Sequence, residues 1–463
     1  MNYDLIVVGS GPGGYVAAIR ASQLGMKVGV VEKAELGGVC LNWGCIPTKA
    51  LLRSAEVYHN FNKAKEYGVS VEGQVKPDFE AMVSRSRKVA NGMSKGIQYL
   101  FKKNKIDHLQ GAGKLVKKNT VEVTDQEGNQ TNYTANHIIL ATGARSKELP
   151  NLKQDGEKII GYRKAMTLPK QPKSMIVVGS GAIGSEFADF YDAIGTEVTL
   201  VEVLPKVVPI EDEEVSKQLA RSFKKKGIKV MTEASIESVD TSGDLCKATI
   251  KTKKGEETKE AEIVLSAVGI TSNLENLGIE EMGIETENDK VKVDEFYRTN
   301  VEGVYAIGDI IKGPALAHVA SAEGIACVEK IAGENPDPLD YYNMPSCTYT
   351  SPEIASVGMT EQAAKDAGYE IKVGKFPFTA SGKASAGGEN EGFVKLIFDA
   401  RYGELLGGHL IGAHVTELVS ELVVGKKIEA TGHEFIKSVH PHPTMSEAIM
   451  EAAAAAYDEV IHI

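Results

Sequence analysis

The 463-residue sequence predicts an α/β fold, with two Rossmann-like dinucleotide-binding domains followed by an α+β C-terminal region. Three observations carry this. The run Leu5-Ile6-Val7-Val8-Gly9-Ser10-Gly11-Pro12-Gly13-Gly14 is echoed by Met175-Ile176-Val177-Val178-Gly179-Ser180-Gly181-Ala182-Ile183-Gly184. Behind each glycine cluster a helix-like stretch leads to a short β-branched run ending in acid, Lys27 to Glu32 and Glu197 to Glu202, and each acid follows the first glycine by 23 residues. The length, at about 150 residues per domain, leaves room for roughly three domains.

In each unit the pattern Gly-x-Gly-x-x-Gly, on Gly9, Gly11 and Gly14 and again on Gly179, Gly181 and Gly184, is what a tight strand-to-helix turn needs. The glycines let a pyrophosphate reach the helix N-terminus, while Glu32 or Glu202 takes the ribose hydroxyls. A single such pattern also occurs in ordinary turns. Strand, glycines, helix, strand and acid twice in register predict two bound dinucleotides.

Between the units an amphipathic helix is expected over about Asp78 to Asn104, then short alternating strands around Val121 to Thr134. His137 to Gly143, Ala261 to Gly269 and Val304 to Asp309 each read as a buried strand closed by glycine, the form in which a sheet ends beside a ligand. Asn335 to Pro345, with three prolines, predicts a linker to the third region. There, Phe393 to Asp399 and Leu405 to Ile411 are expected as strands, and Glu417 to Ile428 and Ser446 to Tyr457 as helices.

Composition narrows the function. Hydrophobic residues at 42% and charged residues at 25% match an ordinary globular chain. The formal charge of −11 repels nucleic acid and anionic membranes, so neither is an expected partner. Met1 to Asp4 and the short apolar run after it predict neither a signal peptide nor a transmembrane helix, and a cytoplasmic protein. Five cysteines are too few for a disulfide framework and one must stay unpaired, so any disulfide is expected to be catalytic. No metal site is expected.

The most specific segment is Gly37-Gly38-Val39-Cys40-Leu41-Asn42-Trp43-Gly44-Cys45-Ile46-Pro47-Thr48-Lys49, which holds the only tryptophan. On a regular helix five residues rise about 7.5 Å, beyond the Cα separation of about 7 Å that a disulfide spans. Cys40 and Cys45 can bridge only across an irregular backbone, which the glycines allow. Pro47 suits the first turn of a following helix, which sets Cys45 near a helix N-terminus, where a thiolate is stabilised. The plainer alternative is two buried cysteines acting as small hydrophobes. Cys246, Cys327 and Cys347 stand alone in the sequence and read as structural.

Nearly 400 residues later comes Val439-His440-Pro441-His442-Pro443-Thr444-Met445-Ser446-Glu447. His442 oriented by Glu447 has the form of a base for thiol chemistry. Thr444-x-x-Glu447 equally has the form of a helix capping box. A cis bond before one of the prolines would fix His442 rigidly.

The Gly-Gly-x-Cys-Leu-Asn-x-Gly-Cys-Ile-Pro-Thr-Lys run and the closing His-x-His-Pro-Thr-x-Ser-Glu resemble, as does nearly the whole chain, the pyridine nucleotide-disulfide oxidoreductases, and among them most closely the enzymes that oxidise dihydrolipoamide. The resemblance implies FAD on the first fingerprint and NAD on the second. It gives Cys40 the role of the sulfur that exchanges with substrate and Cys45 that of the sulfur touching the flavin. It pairs Lys49 with Glu186 beside the flavin, sets Asp309 and Ala317 on the ribityl chain and pyrimidine edge, and lines the adenine side with Gly113, Ala141, Thr142 and Gly143. It makes His442 the base and Glu447 its orienting acid. The implied domains are 1–145 and 273–345 for FAD, 146–272 for NAD and 346–463 for dimerisation. The implied partners are a second copy and the lipoyl domains of a 2-oxoacid dehydrogenase acyltransferase or a glycine-cleavage carrier. Reduction of glutathione or CoA disulfides, or a lipoyl-binding subunit of low turnover, are the alternatives. One departure stands out: where the family often has Gly-Arg-x-Pro-Asn, this chain reads Gly269-Ile270-Thr271-Ser272-Asn273, with backbone at Gly269 still expected to line the nucleotide site. Glu202, with no arginine close behind it, implies NAD rather than NADP.

Overall fold

Leu5 to Val8 lie in the strand Asn2–Val8, whose parallel neighbours are Val28–Glu32 on one side and Gln130–Leu140 on the other. Parallel strands are covered on both faces, which is why these segments are continuously apolar and not alternating. The structure, a computed structural model, describes residues 2–463 and divides into two units.

The first unit comprises Met1–Leu51, Phe79–Lys147 and Ile270–Tyr341. Its seven-stranded sheet runs Asp107–Gln110, Val28–Glu32, Asn2–Val8, Gln130–Leu140, Thr120–Thr124, Ala112–Lys117, with Val304–Ala306 also paired to Gln130–Leu140. Gln130–Leu140 joins what the sequence suggests as two strands. Its first half pairs antiparallel with Thr120–Thr124 and is partly exposed; its last residues, Ile138 to Leu140, enter the parallel centre and are buried. One strand crosses two environments, so its residue pattern changes midway. The helices Pro12–Gln23 and Ala317–Ile331 pack on one another so closely that a Cβ at Gly324 would meet the Gly13 carbonyl oxygen at 2.8 Å. The long helix Phe79–Lys103 falls within a residue of its expected bounds.

The second unit comprises Leu52–Asp78, Glu148–Gly269 and Tyr342–Ile463. It holds a parallel sheet in the order Lys229–Met231, Glu197–Val201, Ser174–Val178, Ile263–Ser266, Ile159–Ile160. A three-stranded antiparallel sheet, Ser235–Asp240, Cys246–Thr252 and Gly255–Ala261, accompanies it. Its third strand is almost wholly exposed and charged, so periodicity gives it no signal. The C-terminal sheet is antiparallel, in the order Ser346–Thr348, Glu353–Gly358, Leu405–Gly412, Phe393–Asp399, Ile371–Pro377. The helices Val415–Lys427 and Glu447–Ala455 bury their apolar faces on it through Val419, Leu422, Ala448 and Ala452. Both are shifted by a few residues from the sequence expectation, as helix ends are. The architecture is α/β, two Rossmann-like domains and a C-terminal α+β domain. Among the described residues no helix is long and apolar enough to cross a membrane.

The two glycine turns have the same construction. Gly9 and Gly179 take φ of +107° and +99°, and a Cβ at Gly14 or Gly184 would lie 1.9 Å from the carbonyl oxygen of Gly9 or Gly179. A Cβ at Gly11 or Gly181 would meet nothing within 4 Å. Gly184→Ala is therefore expected to lose about 3 kcal/mol by overpacking, while Gly181→Ala stays within about 0.5 kcal/mol of the parent. Denaturant unfolding without added nucleotide measures both.

Candidate active site

The segment from Gly37 to Lys49 forms two helices, Gly38–Trp43 and Cys45–Asn62, broken at Gly44, whose φ and ψ are −139° and −114°. The break removes the regular rise that would hold the two sulfurs apart. Cys40 and Cys45 stand as thiols in hydrogen-bond contact, and that bond, followed by burial, pushes the Cys40 pKa far up; the charge of Lys49 opposes the rise. Cys40 therefore keeps its proton, and Cys45, the first residue of its helix, is the better placed of the two to carry charge.

The pair is held against the first nucleotide turn. Gly37 N donates to Ser10 O at 3.1 Å, and a Cβ at Gly38 would sit 2.6 Å from Gly11 Cα. From the other side the helix Phe79–Lys103 clamps the segment. Arg87 donates to Asn42 O at 2.6 Å and lies 4.0 Å over the Trp43 ring, Ser86 Oγ donates to Pro47 O at 2.9 Å, and Arg85 donates to Ala50 O at 2.8 Å. These three clamp residues escaped sequence reasoning, because an amphipathic pattern shows which face of a helix is buried but not what it holds.

Glu32 and Glu202 close their turns identically. Glu32 Oε2 accepts from Ser10 N and Oγ at 3.0 and 2.7 Å, and Glu202 Oε2 accepts from Ser180 N and Oγ at 2.8 and 2.7 Å. The helices Pro12–Gln23 and Ala182–Ala193 begin at Gly11 and Gly181 with no side chain capping them. Uncapped N–H groups facing the open space at Gly11 and Gly181 fit a pyrophosphate in each unit.

In the first unit Gly113 packs on Val8 and Val31, where a Cβ would lie 3.1 Å from a methyl carbon of each. Ala141 N donates to Val8 O at 2.8 Å, and Thr142 and Gly143 are held by Asn273: Thr142 Oγ1 donates to Asn273 O at 2.7 Å, and Asn273 Nδ2 and N donate to Thr142 O and Gly143 O at 3.0 and 2.9 Å. Asn273, the last residue of the departing Gly269 to Asn273 segment, is the anchor that motif reading passed over. Asp309 lies in a tight turn with its pKa raised by burial, partly countered by Lys290. Gly308 N donates to Glu323 Oε2 at 2.7 Å, which ties that turn to the helix begun by Ala317. In the second unit Glu186 is buried and accepts from Tyr349 N at 3.0 Å. Gly269, at φ +114°, has open space where a Cβ would be.

His442 and Glu447 meet, Nδ1 to Oε1, at 2.8 Å, and the His442–Pro443 peptide is cis. Glu447 Oε2 also accepts from Thr444 N at 2.8 Å, so the carboxylate orients the ring and makes half of the capping-box contact. Burial raises the Glu447 pKa, but those two hydrogen bonds hold it below the usual range. With Nδ1 committed and the side chain 78% exposed, Nε2 is the nitrogen left for chemistry. His440 forms a second pair, Nε2 to Glu421 Oε1 at 2.8 Å, which the sequence did not suggest because Glu421 lies on the helix Val415–Lys427, 19 residues earlier in the chain.

Residues 3–324 match the family described as pyridine nucleotide-disulphide oxidoreductase, and residues 344–453 match its dimerisation domain. The chain belongs to the pyridine nucleotide-disulphide oxidoreductases. It is 48% identical to a dihydrolipoyl dehydrogenase of Rhizobium etli over 100% of this chain and 99% of that one, and 44% identical to that of Bacillus subtilis over 99% of each. The mitochondrial dihydrolipoyl dehydrogenase of Pisum sativum is 43% identical over 99% of this chain and 92% of its own. Among solved structures, LpdA of Mycobacterium tuberculosis superposes with a TM-score of 0.91 at 28% identity, covering 97% of this chain and 98% of its own.

The two His-Glu pairs respond oppositely to pH. The hydrogen bond to Glu421 raises the His440 pKa, so its stabilisation is complete below the unfolded value of about 6.5 and is lost as pH rises through the folded value. The depressed Glu447 pKa contributes stability above the unfolded value of about 4.3, lost as pH falls. The difference in Tm between the parent and Glu421→Gln is expected to shrink from pH 6 toward alkaline pH; a difference that grows would contradict the assigned pair.

Proposed function

We propose that this chain is a dihydrolipoyl dehydrogenase: it oxidises the dihydrolipoyl group of a partner protein through Cys40 and Cys45, with FAD as the internal carrier and NAD+ as the final acceptor. The contact of Cys40 with Cys45 across the Gly44 break carries this reading, since it gives a family member of this identity a dithiol that can close to a disulfide.

In the oxidised resting state a substrate thiol gives its proton to His442 Nε2 and attacks Cys40 Sγ, and the Cys40–Cys45 bond breaks with Cys45 leaving as thiolate. The second substrate thiol attacks the substrate sulfur bonded to Cys40, which closes the dithiolane ring, breaks the bond to Cys40 and leaves the second proton on Cys40 as it departs. Glu447 holds the ring in the tautomer that leaves Nε2 basic. Lys49 stabilises negative charge beside the sulfurs, and its pairing with Glu186 belongs to the same proposal. When bound, FAD supplies a two-electron acceptor for that thiolate and a hydride donor for NAD+. Gly9, Gly11, Gly14 and Glu32 would hold its pyrophosphate and ribose, Gly113 with Ala141 to Gly143 its adenine side, and Asp309 and Ala317 its ribityl chain and pyrimidine edge. Gly179, Gly181, Gly184, Glu202 and Gly269 would hold NAD. Segments 1–145 and 273–345 then form the FAD domain, 146–272 the NAD domain and 346–463 the dimerisation domain.

A homodimer is part of this reading, supported by the match to the dimerisation domain. Each site would take Cys40 and Cys45 from one subunit and His442 and Glu447 from the other, which suits the exposure of the His442 ring. The partner would be a lipoyl domain of a 2-oxoacid dehydrogenase complex or of glycine cleavage, and the location the cytoplasm.

Cys45→Ser is expected to abolish NADH formation from dihydrolipoamide; near-parental turnover would remove the disulfide from the mechanism. His442→Gln is expected to slow anaerobic flavin reduction by dihydrolipoamide by roughly 10²- to 10⁴-fold, leaving NADH oxidation by an artificial acceptor unchanged. Stopped-flow absorbance separates the two half-reactions.

A further inference from the structure

On the C-terminal sheet, Ser356, His409, Lys395 and Lys375 are direct cross-strand neighbours, a polar row on four successive strands. The apolar residues that alternate with them, Leu396, Phe398 and Leu410, pack instead with the helices Val415–Lys427 and Glu447–Ala455. Lys395 is 1% exposed, and its ammonium meets Asp212 Oδ1 at 3.0 Å, Glu214 Oε2 at 2.9 Å and Glu361 Oε2 at 2.7 Å. An ammonium so buried is tolerated only when paired.

Asp212 stands ten residues after Glu202 and ends the loop that follows it. It caps the helix Glu213–Lys226 by accepting from Glu214 N at 3.0 Å, and its other oxygen accepts from Glu361 N at 3.2 Å. Between Glu202 and Asp212 the backbone takes an unfavourable course. Val208, β-branched and 2% exposed, has φ of +40°. Such a conformation persists only where its surroundings over-determine it. Here the constraints lie at both ends. At the start, Leu204 N donates to Glu202 Oε1 at 2.9 Å and Val208 N donates to Ser180 O at 3.1 Å. At the far end, Glu211 N donates to Val208 O at 2.9 Å, and Asp212 is fixed under Lys395.

We propose that Lys395 is a positioning residue for NAD: by anchoring Asp212 it holds loop 203–212 in the strained course that sets Leu204 and Ser180 on the Glu202 carboxylate. This rests on the reading of Gly179 to Glu202 as the NAD site. Lys395 touches no nucleotide itself; it acts through the loop.

The test uses the oxidised, flavin-loaded enzyme and NAD+ titrated by calorimetry. Lys395→Met keeps an unbranched side chain one atom shorter and removes its charge; Asp212→Asn keeps the helix cap and removes its ion pair with Lys395. Lys395→Met is expected to raise the Kd and the KM for NAD+ roughly tenfold with kcat little changed, and Asp212→Asn roughly threefold. Anaerobic flavin reduction by dihydrolipoamide, without nucleotide, should keep the parental rate in both. Unchanged NAD+ affinity in the folded variants overturns the proposal, and if Lys395→Met does not fold, Asp212→Asn decides alone. Glu202→Gln is the control: if it too leaves the Kd unchanged, the NAD-site reading falls along with this one, whereas a weakened Glu202→Gln beside unaffected Lys395 and Asp212 variants sinks only the role of Lys395.

Discussion

Backbone meets backbone at the glycine turns, and most of the site follows from that constraint. Because Gly14 can lie against the Gly9 carbonyl, the helix Pro12–Gln23 starts directly at the strand end and leaves its first N–H groups uncapped. Because Gly38 can lie against Gly11, the dithiol segment rests on the same turn. A side chain at any of these contacts would separate elements whose closeness the chemistry requires.

The second turn repeats the first nearly atom for atom, down to the serine that donates twice to the closing glutamate. What differs is the surrounding. The first turn is joined by the dithiol segment and the clamp from Arg85, Ser86 and Arg87. The second is followed by a strained loop that ends at a buried cation from the C-terminal sheet. One local device thus serves two purposes according to what packs beside it, in keeping with function residing in sites built on a fold.

Much of this was legible in the sequence because the signals are local. Glycines at fixed spacing, an acid 23 residues on, and two cysteines astride a glycine all report on backbone geometry within one segment. The capping-box reading of Thr444 and Glu447 shows the limit of such signals. The same carboxylate makes half of that contact and also holds His442, so the two readings were never exclusive.

By itself the sequence determined the two nucleotide-type units; it made an irregular backbone the condition for joining Cys40 and Cys45, and it offered the pairing of His442 with Glu447 beside a capping-box reading, since each of these depends on residues within a few turns of chain. Tertiary structure alone decided the rest: Asn273 against Thr142, Glu421 against His440, and Lys395 among Asp212, Glu214 and Glu361. Those partners are separated by anywhere from 19 to 183 residues. Hydrogen bonds and ion pairs act over a few ångströms of space and carry no periodicity along the chain, so only folding brings them into view.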